Sequence, residues 1–211
     1  MMAELLIFVG ALVVVYLVPG PDMVLMLQTA ATQGRSHAMA VAAGLAVARG
    51  AHVLMAALGL GAILKAAPEV FEGLRLLGAA YLIWLGIRIF RAASLITSFP
   101  AAGERRKRSG WRASWRKGVF TNISNPKALL FCSVLLPQFI HVEAGAVPAQ
   151  FALLGIVLVL TGLIFDLLYA GAGAALSRWL AQTPLARTLQ RWLFACVLIS
   201  FGVRMALAER A

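Results

Sequence analysis

Read in windows of about 19 residues, the chain resolves into six long apolar segments: Glu4 to Gln33, His37 to Leu64, Val70 to Arg91, Trp115 to Ile140, Ala149 to Ser177 and Leu185 to Leu207. Each is long enough for an α-helix to cross a hydrocarbon core of ~30 Å. The one sizeable polar stretch, Ser94 to Ser114, is rich in Arg and Lys and separates the segments three and three. The expected fold is all-α and polytopic, with residues 1–93 as a first three-helix repeat, 94–114 as a basic cytoplasmic loop and 115–211 as a second repeat.

The leading segment of each half is interrupted, at Pro19-Gly20-Pro21-Asp22 and at Ser124-Asn125-Pro126-Lys127. Three spans per half is an odd number, so if the halves are repeats the second must be inserted upside down relative to the first. The first segment, of about 30 residues, would measure ~45 Å as an unbroken helix, so a kink or break is expected on length alone.

Composition narrows the class further. The chain has 211 residues, 62% hydrophobic and 13% charged, where a soluble domain is roughly half apolar and a quarter charged. A soluble enzyme is thereby disfavoured. The net charge of +11 would suggest nucleic acid in a soluble domain, but Arg105, Arg106, Lys107, Arg108, Arg112, Arg116 and Lys117 crowd the one polar connection, where cytoplasmic loops carry their cations. No nucleic-acid partner is therefore expected. With that loop inside, Arg35, Arg88, Arg91, Arg178, Arg187 and Arg191 also fall inside, whereas only Lys65, Arg75, Arg204 and Arg210 fall outside. Both termini are expected on the periplasmic side of a bacterial inner membrane. Met1 to Val18, without a basic leader, reads as a retained first helix. Cys132 and Cys196 lie within apolar runs and read as packing residues.

The breaks carry candidate chemistry. Proline has no N–H and clashes with the carbonyl one turn earlier, so Pro19, Pro21 and the intervening Gly20 free backbone groups within the bilayer. Such groups are tolerated only against protein or water. Asn125 before Pro126 is a favoured N-cap and first-turn pair, so a new half-helix is expected there, as at Pro21. Half-helix N-termini meeting at midplane suit an anionic group such as a carboxylate. Ordinary proline kinks filled by neighbours are the plainer alternative.

Four ionisable residues, Asp22, Arg49, Lys127 and Asp166, are expected deep in the bilayer. A charge at midplane costs at least ~2.5 kcal/mol, so such residues face a cavity, pair, or mark a pathway. Asp22 and Lys127 follow their prolines at the same position, which would set an acid and a base on opposite sides of a central site. An amino acid is itself a carboxylate and an ammonium, so Lys127 suits the first and Asp22 or Asp166 the second, or a coupling proton. Structural ion pairs, and for Asp22 the capping of its own half-helix, are the plainer readings. Gly44, Gly155, Gly162, Gly171 and Gly173 read as close helix packing.

The ordered set Pro19-Gly20-Pro21-Asp22, Gly34-Arg35, Gly59-Leu60, Gly78-Ala79 with Tyr81-Leu82 and Gly86, Asn125-Pro126-Lys127-Ala128 and Leu136-Pro137-Gln138-Phe139 resembles the LysE/RhtB family of amino-acid exporters over nearly the whole chain. The resemblance implies a six-helix inner-membrane antiporter that exports a small amino acid or close derivative in exchange for protons, without a cofactor. It carries substrate-binding roles onto Pro19, Gly20, Pro21, Asp22, Asn125, Pro126 and Lys127. Arg49 lies outside the family pattern and joins Asp166 and Asp22 as an ion-coupling candidate on its position alone. The sequence leaves a homo-oligomer open. The rivals are a cation or heavy-metal transporter of similar architecture, for which only Asp22 and Asp166 are at hand, and a non-transporting membrane scaffold.

Reporter fusions test the orientation. A fusion at the C-terminus is expected to be active only with a reporter that works outside the cytoplasm, and one in 94–114 only with a cytoplasmic reporter. A cytoplasmic C-terminus would remove the upside-down second repeat.

Overall fold

The computed structural model describes residues 2–18, 20–66, 68–91, 110–141 and 143–207. Expectations that fall on Pro19 and on 94–109 lie outside the described residues. The described chain is helical without strands: α1 (Met2–Leu17), α2 (Pro21–Gln33), α3 (Arg35–Ala66), α4 (Pro68–Arg91), α5 (Trp111–Ile123), α6 (Pro126–Leu130), α7 (Val147–Gln182) and α8 (Pro184–Leu207). A π-helical turn, Phe131–Leu135, and a 3₁₀ turn, Leu136–Phe139, prolong α6.

Among the described residues each apolar segment is helical apart from the two breaks and Ile140. Arg35–Gly59 and Val147–Ala172 are each long and apolar enough to cross a membrane. Two bent pairs reach the same standard, Ala3–Leu17 with Pro21–Gln33 at 56° and Trp111–Ile123 with Pro126–Phe139 at 57°. Length and composition thus mark up to four crossings among the described residues. The remaining helices, α4 and α8, have 24 residues each and carry arginines near their ends. Both expected breaks occur at the prolines, because neither α2 nor α6 can extend backwards through a residue with no N–H.

The second half begins earlier than expected. Trp111 to Ser114 form the first turn of α5 rather than the end of a polar loop, with Gly110 as N-cap and its carbonyl accepting from Ala113 and Ser114 at 2.9 and 3.1 Å. Ser114 is buried, which the polarity of its neighbours hides. Between α2 and α3, Gly34 adopts φ +90°, a backbone open chiefly to glycine, and its N–H donates to Thr29.

Close packing at glycine fixes the bundle. On α3 and α5 the contact is reciprocal: a Cβ on Gly44 would strike the carbonyl of Trp115, and one on Gly118 the carbonyl of Val41. The α4 and α8 pair repeats the device. There a Cβ on Gly86 would lie 3.0 Å from the carbonyl of Ala195, and one on Gly202 2.9 Å from that of Ala79. Gly155 accommodates Val53 of α3. Among the described residues nothing lies within 4 Å of a Cβ placed on Gly171, so its expected packing role finds no partner there. On α7, Leu153, Ile156, Leu160, Ile164 and Leu167 recur along one face at helical spacing and are exposed, as suits a lipid-facing stripe.

Gly44→Ala and Gly118→Ala are each expected to destabilise the bundle by about 1–3 kcal/mol, since the obstructing atoms are backbone. Thermal unfolding in detergent should show both losses. Gly171→Ala, by contrast, should leave the melting temperature within error.

Candidate functional site

The first break leaves carbonyls to satisfy. In a continuous helix the carbonyl of Val15 would accept from residue 19, but Pro19 has no N–H. A side chain from the other break supplies the donor: Lys127 Nζ reaches the carbonyl oxygens of both Val15 and Val18 at 3.0 Å. The same ammonium lies 5.9 Å from the ring centroid of Phe194 on α8. Its route passes Gly20, where an added Cβ would stand 2.9 Å from Nζ.

The second break is served in the opposite sense. The carbonyl of Asn122, four residues before Pro126, accepts from the N–H of Asn125 at 2.9 Å and contacts His52 Nε2 at 3.2 Å. A carbonyl only accepts, so Nε2 carries the proton in that contact. Asn125 is the N-cap of α6, its Oδ1 accepting from the backbone N–H of Lys127 at 3.0 Å. Its amide then donates to Asp22 Oδ1 at 2.9 Å, and the Asn122 amide donates to Asp22 Oδ2 at 2.6 Å. Asp22 therefore does not cap its own helix. Gly20 stands at that N-cap without a side-chain bond, while the carboxylate braces the opposite break.

A buried ion pair adjoins this crossing. Arg49 of α3 donates to Asp166 of α7 through both terminal nitrogens, at 2.6 and 3.1 Å, and its Nη2 lies 3.6 Å from Asp22 Oδ2. Arg49 and Asp166 are each 2% exposed. Gly162, one turn before Asp166, makes room, because a Cβ there would come within 2.7 Å of Arg49 Nη1 and of the Tyr16 hydroxyl. Tyr16 places its ring 5.1 Å from the guanidinium carbon and donates to the carbonyl of Leu158 at 3.2 Å. Tyr169 donates to the carbonyl of Tyr16 at 2.6 Å, tying α7 to α1.

These groups enclose a cavity of about 30 Å³ lined by Asp22, Arg49, Asn122, Asn125, Lys127 and Asp166 on its polar side, with Leu12, Met23, Cys132 and Leu158 among its apolar lining. It has room for about one water and far too little for an amino acid. Among the described residues no three of His, Cys, Asp and Glu cluster as metal ligands.

The structure thus brings Gly20, Asp22, Arg49, Asn125, Lys127 and Asp166 together, with Pro21 and Pro126 opening the two half-helices; Pro19 lies outside the described residues. Asp22 and Lys127 both line the one cavity, and each also reaches the backbone or amides around the other's break. Sequence reasoning missed Asn122 and Tyr16. Asn122 had a signal, standing one helical turn before Asn125 and so on the same face of the interrupted segment.

The sequence model of the family described as LysE type translocator matches residues 13–209. The chain belongs to that family. A homoserine/homoserine lactone efflux protein of Salmonella typhimurium is 30% identical over 193 residues, which cover 92% of this chain and 91% of the relative. A leucine efflux protein of an Enterobacter species is 28% identical over 198 residues, 94% of this chain and 92% of the relative. A membrane protein of Vibrio cholerae is 30% identical over 197 residues, 93% of each chain. No solved structure matches. As a LysE-type translocator the protein is a membrane transporter and not an enzyme.

The Arg49–Asp166 pair gives this site a measurable asymmetry. Arg49→Met alone is expected to cost about 3–5 kcal/mol, because it leaves Asp166 buried and unpaired. The double variant Arg49→Met with Asp166→Leu should recover most of that loss. Melting temperatures of the three proteins in detergent provide the check.

Proposed function

We propose that this LysE-type translocator exports an amino acid or a close derivative across the bacterial inner membrane in exchange for protons, from a site between the two helix breaks. The observation that carries the reading is the crossed bracing: the acid after one proline holds the amides at the other break, and the base after the other proline holds the carbonyls at the first. Six spans in two inverted three-helix repeats, 1–93 and 115–211, with both termini periplasmic, would set these breaks at equal depth. The matched bends of 56° and 57° support that arrangement.

In this reading Pro19, Gly20, Pro21, Asn125 and Pro126 shape the site, Lys127 binds the substrate carboxylate and Asp22 frames the pocket through its two amides. The cavity is too small for the substrate, so binding requires the repeats to move apart around it, which the crossed bonds resist until substrate replaces them. Asp166 is the favoured coupling acid. Ionised, it holds Arg49; protonated, it releases the guanidinium toward Asp22 or a substrate carboxylate. Arginine keeps its charge throughout.

Counterflow and pH-driven accumulation of amino acids in proteoliposomes test the assignment. Asp166→Asn is expected to retain exchange but lose accumulation driven by a pH gradient, whereas Asp22→Asn should lose both. Wild-type accumulation in both variants would exclude carboxylate coupling, and absence of counterflow for every amino acid would exclude the substrate class.

A further inference from the structure

Lys127 is bonded unlike the other buried charges. Arg49 has carboxylates within 4 Å, and Asp22 has two amides and Arg49 beside it. Among the described residues no carboxylate lies within 4.0 Å of Lys127 Nζ, which rests on two backbone carbonyls at 3.0 Å beside the face of Phe194. Oxygen acceptors and an aromatic face are what a primary ammonium group needs, and the same three would serve a free one. The carbonyls are there because of the break: Pro19 offers no N–H to Val15, and the chain leaves the helix after Leu17, before Val18 can bond forward in register. The approach is kept open at Gly20, where a side chain would meet the ammonium.

We propose that the carbonyls of Val15 and Val18, with the ring of Phe194, form an ammonium subsite that Lys127 occupies in this structure and that the primary ammonium of a substrate takes in its place. This rests on the export reading and deepens it. Asp22 is already engaged, each oxygen accepting an amide hydrogen and the Arg49 guanidinium standing 3.6 Å from Oδ2, where its positive charge opposes a second cation. Displaced from the carbonyls, Lys127 swings on its flexible four-carbon stem and turns to the substrate carboxylate. One exchange of ammonium groups thus creates both halves of a zwitterion site. It also undoes the bond by which the second break holds the first, so occupancy and release of the bracing are a single event.

The test uses the full chain with Lys127→Met, which vacates the subsite while keeping an unbranched apolar stem. Ethylammonium should raise the melting temperature of this variant saturably, tetramethylammonium should not because it has charge but no N–H donors, and wild type should respond to neither. A folded variant that ignores ethylammonium, or responds equally to tetramethylammonium, would overturn the subsite. Should Lys127→Met fail to fold, wild-type counterflow decides: the N-trimethylated form of an exchanged amino acid is expected to need at least about tenfold higher concentration for half-saturation, as befits the loss of two hydrogen bonds. Equal half-saturation would overturn the proposal. Failure of the export reading looks different, since wild type would then exchange no amino acid while Lys127→Met still responded to ethylammonium.

Discussion

A proline inside a membrane-spanning helix removes a donor where no water can replace it, and this chain places that deficit at two points. The first deficit is met by the chain around the second, and the asparagines that serve the second are held by the chain around the first. Lys127, set by the start of α6, satisfies the end of α1; Asp22, set by the start of α2, gathers the amides of Asn122 and Asn125 at the end of α5 and the cap of α6. The first half does not meet its own shortage, whereas at the second break Asn125 serves the carbonyl of Asn122 and the N–H of Lys127 from within the same half. The halves must therefore be assembled together, and the interior they share is polar because its backbone demands it.

Much follows from that constraint. Side chains long enough to cross between breaks need close helices, and the glycines supply the closeness: Gly44 with Gly118 between α3 and α5, Gly162 beside Arg49 and Tyr16. The Arg49–Asp166 pair then fills the space between α3 and α7, with Tyr16 and Tyr169 tying α1 to α7 at the same level. Loosening any of these helices exposes a buried charge, so polar and steric fit support one another.

Helices, breaks and the four interior charges were all legible in the sequence, because proline chemistry and the rarity of charge in apolar runs are local signals. Asn125 as a cap was legible for the same reason. What Asp22 and Lys127 bind was not: their partners are about a hundred residues away, and equivalence of position gives no sign that each reaches groups around the other's break. Asn122 escaped notice because an asparagine in an apolar segment looks like ordinary packing until the carboxylate it serves is in view. The first turn of α5 was hidden by its polar sequence, since Ser114 is buried through its place on the helix rather than through its chemistry.

The formal charges of Asp22, Asp166, Arg49 and Lys127 cancel. A transmembrane voltage acts on net charge, at about 2.3 kcal/mol per elementary charge and 100 mV. Rocking a neutral cluster through that field does little electrical work, and a zwitterion added to it changes nothing in the sum. On the export reading the potential would act on the cluster only while Asp166 carries a proton, when its four groups sum to +1 instead of zero.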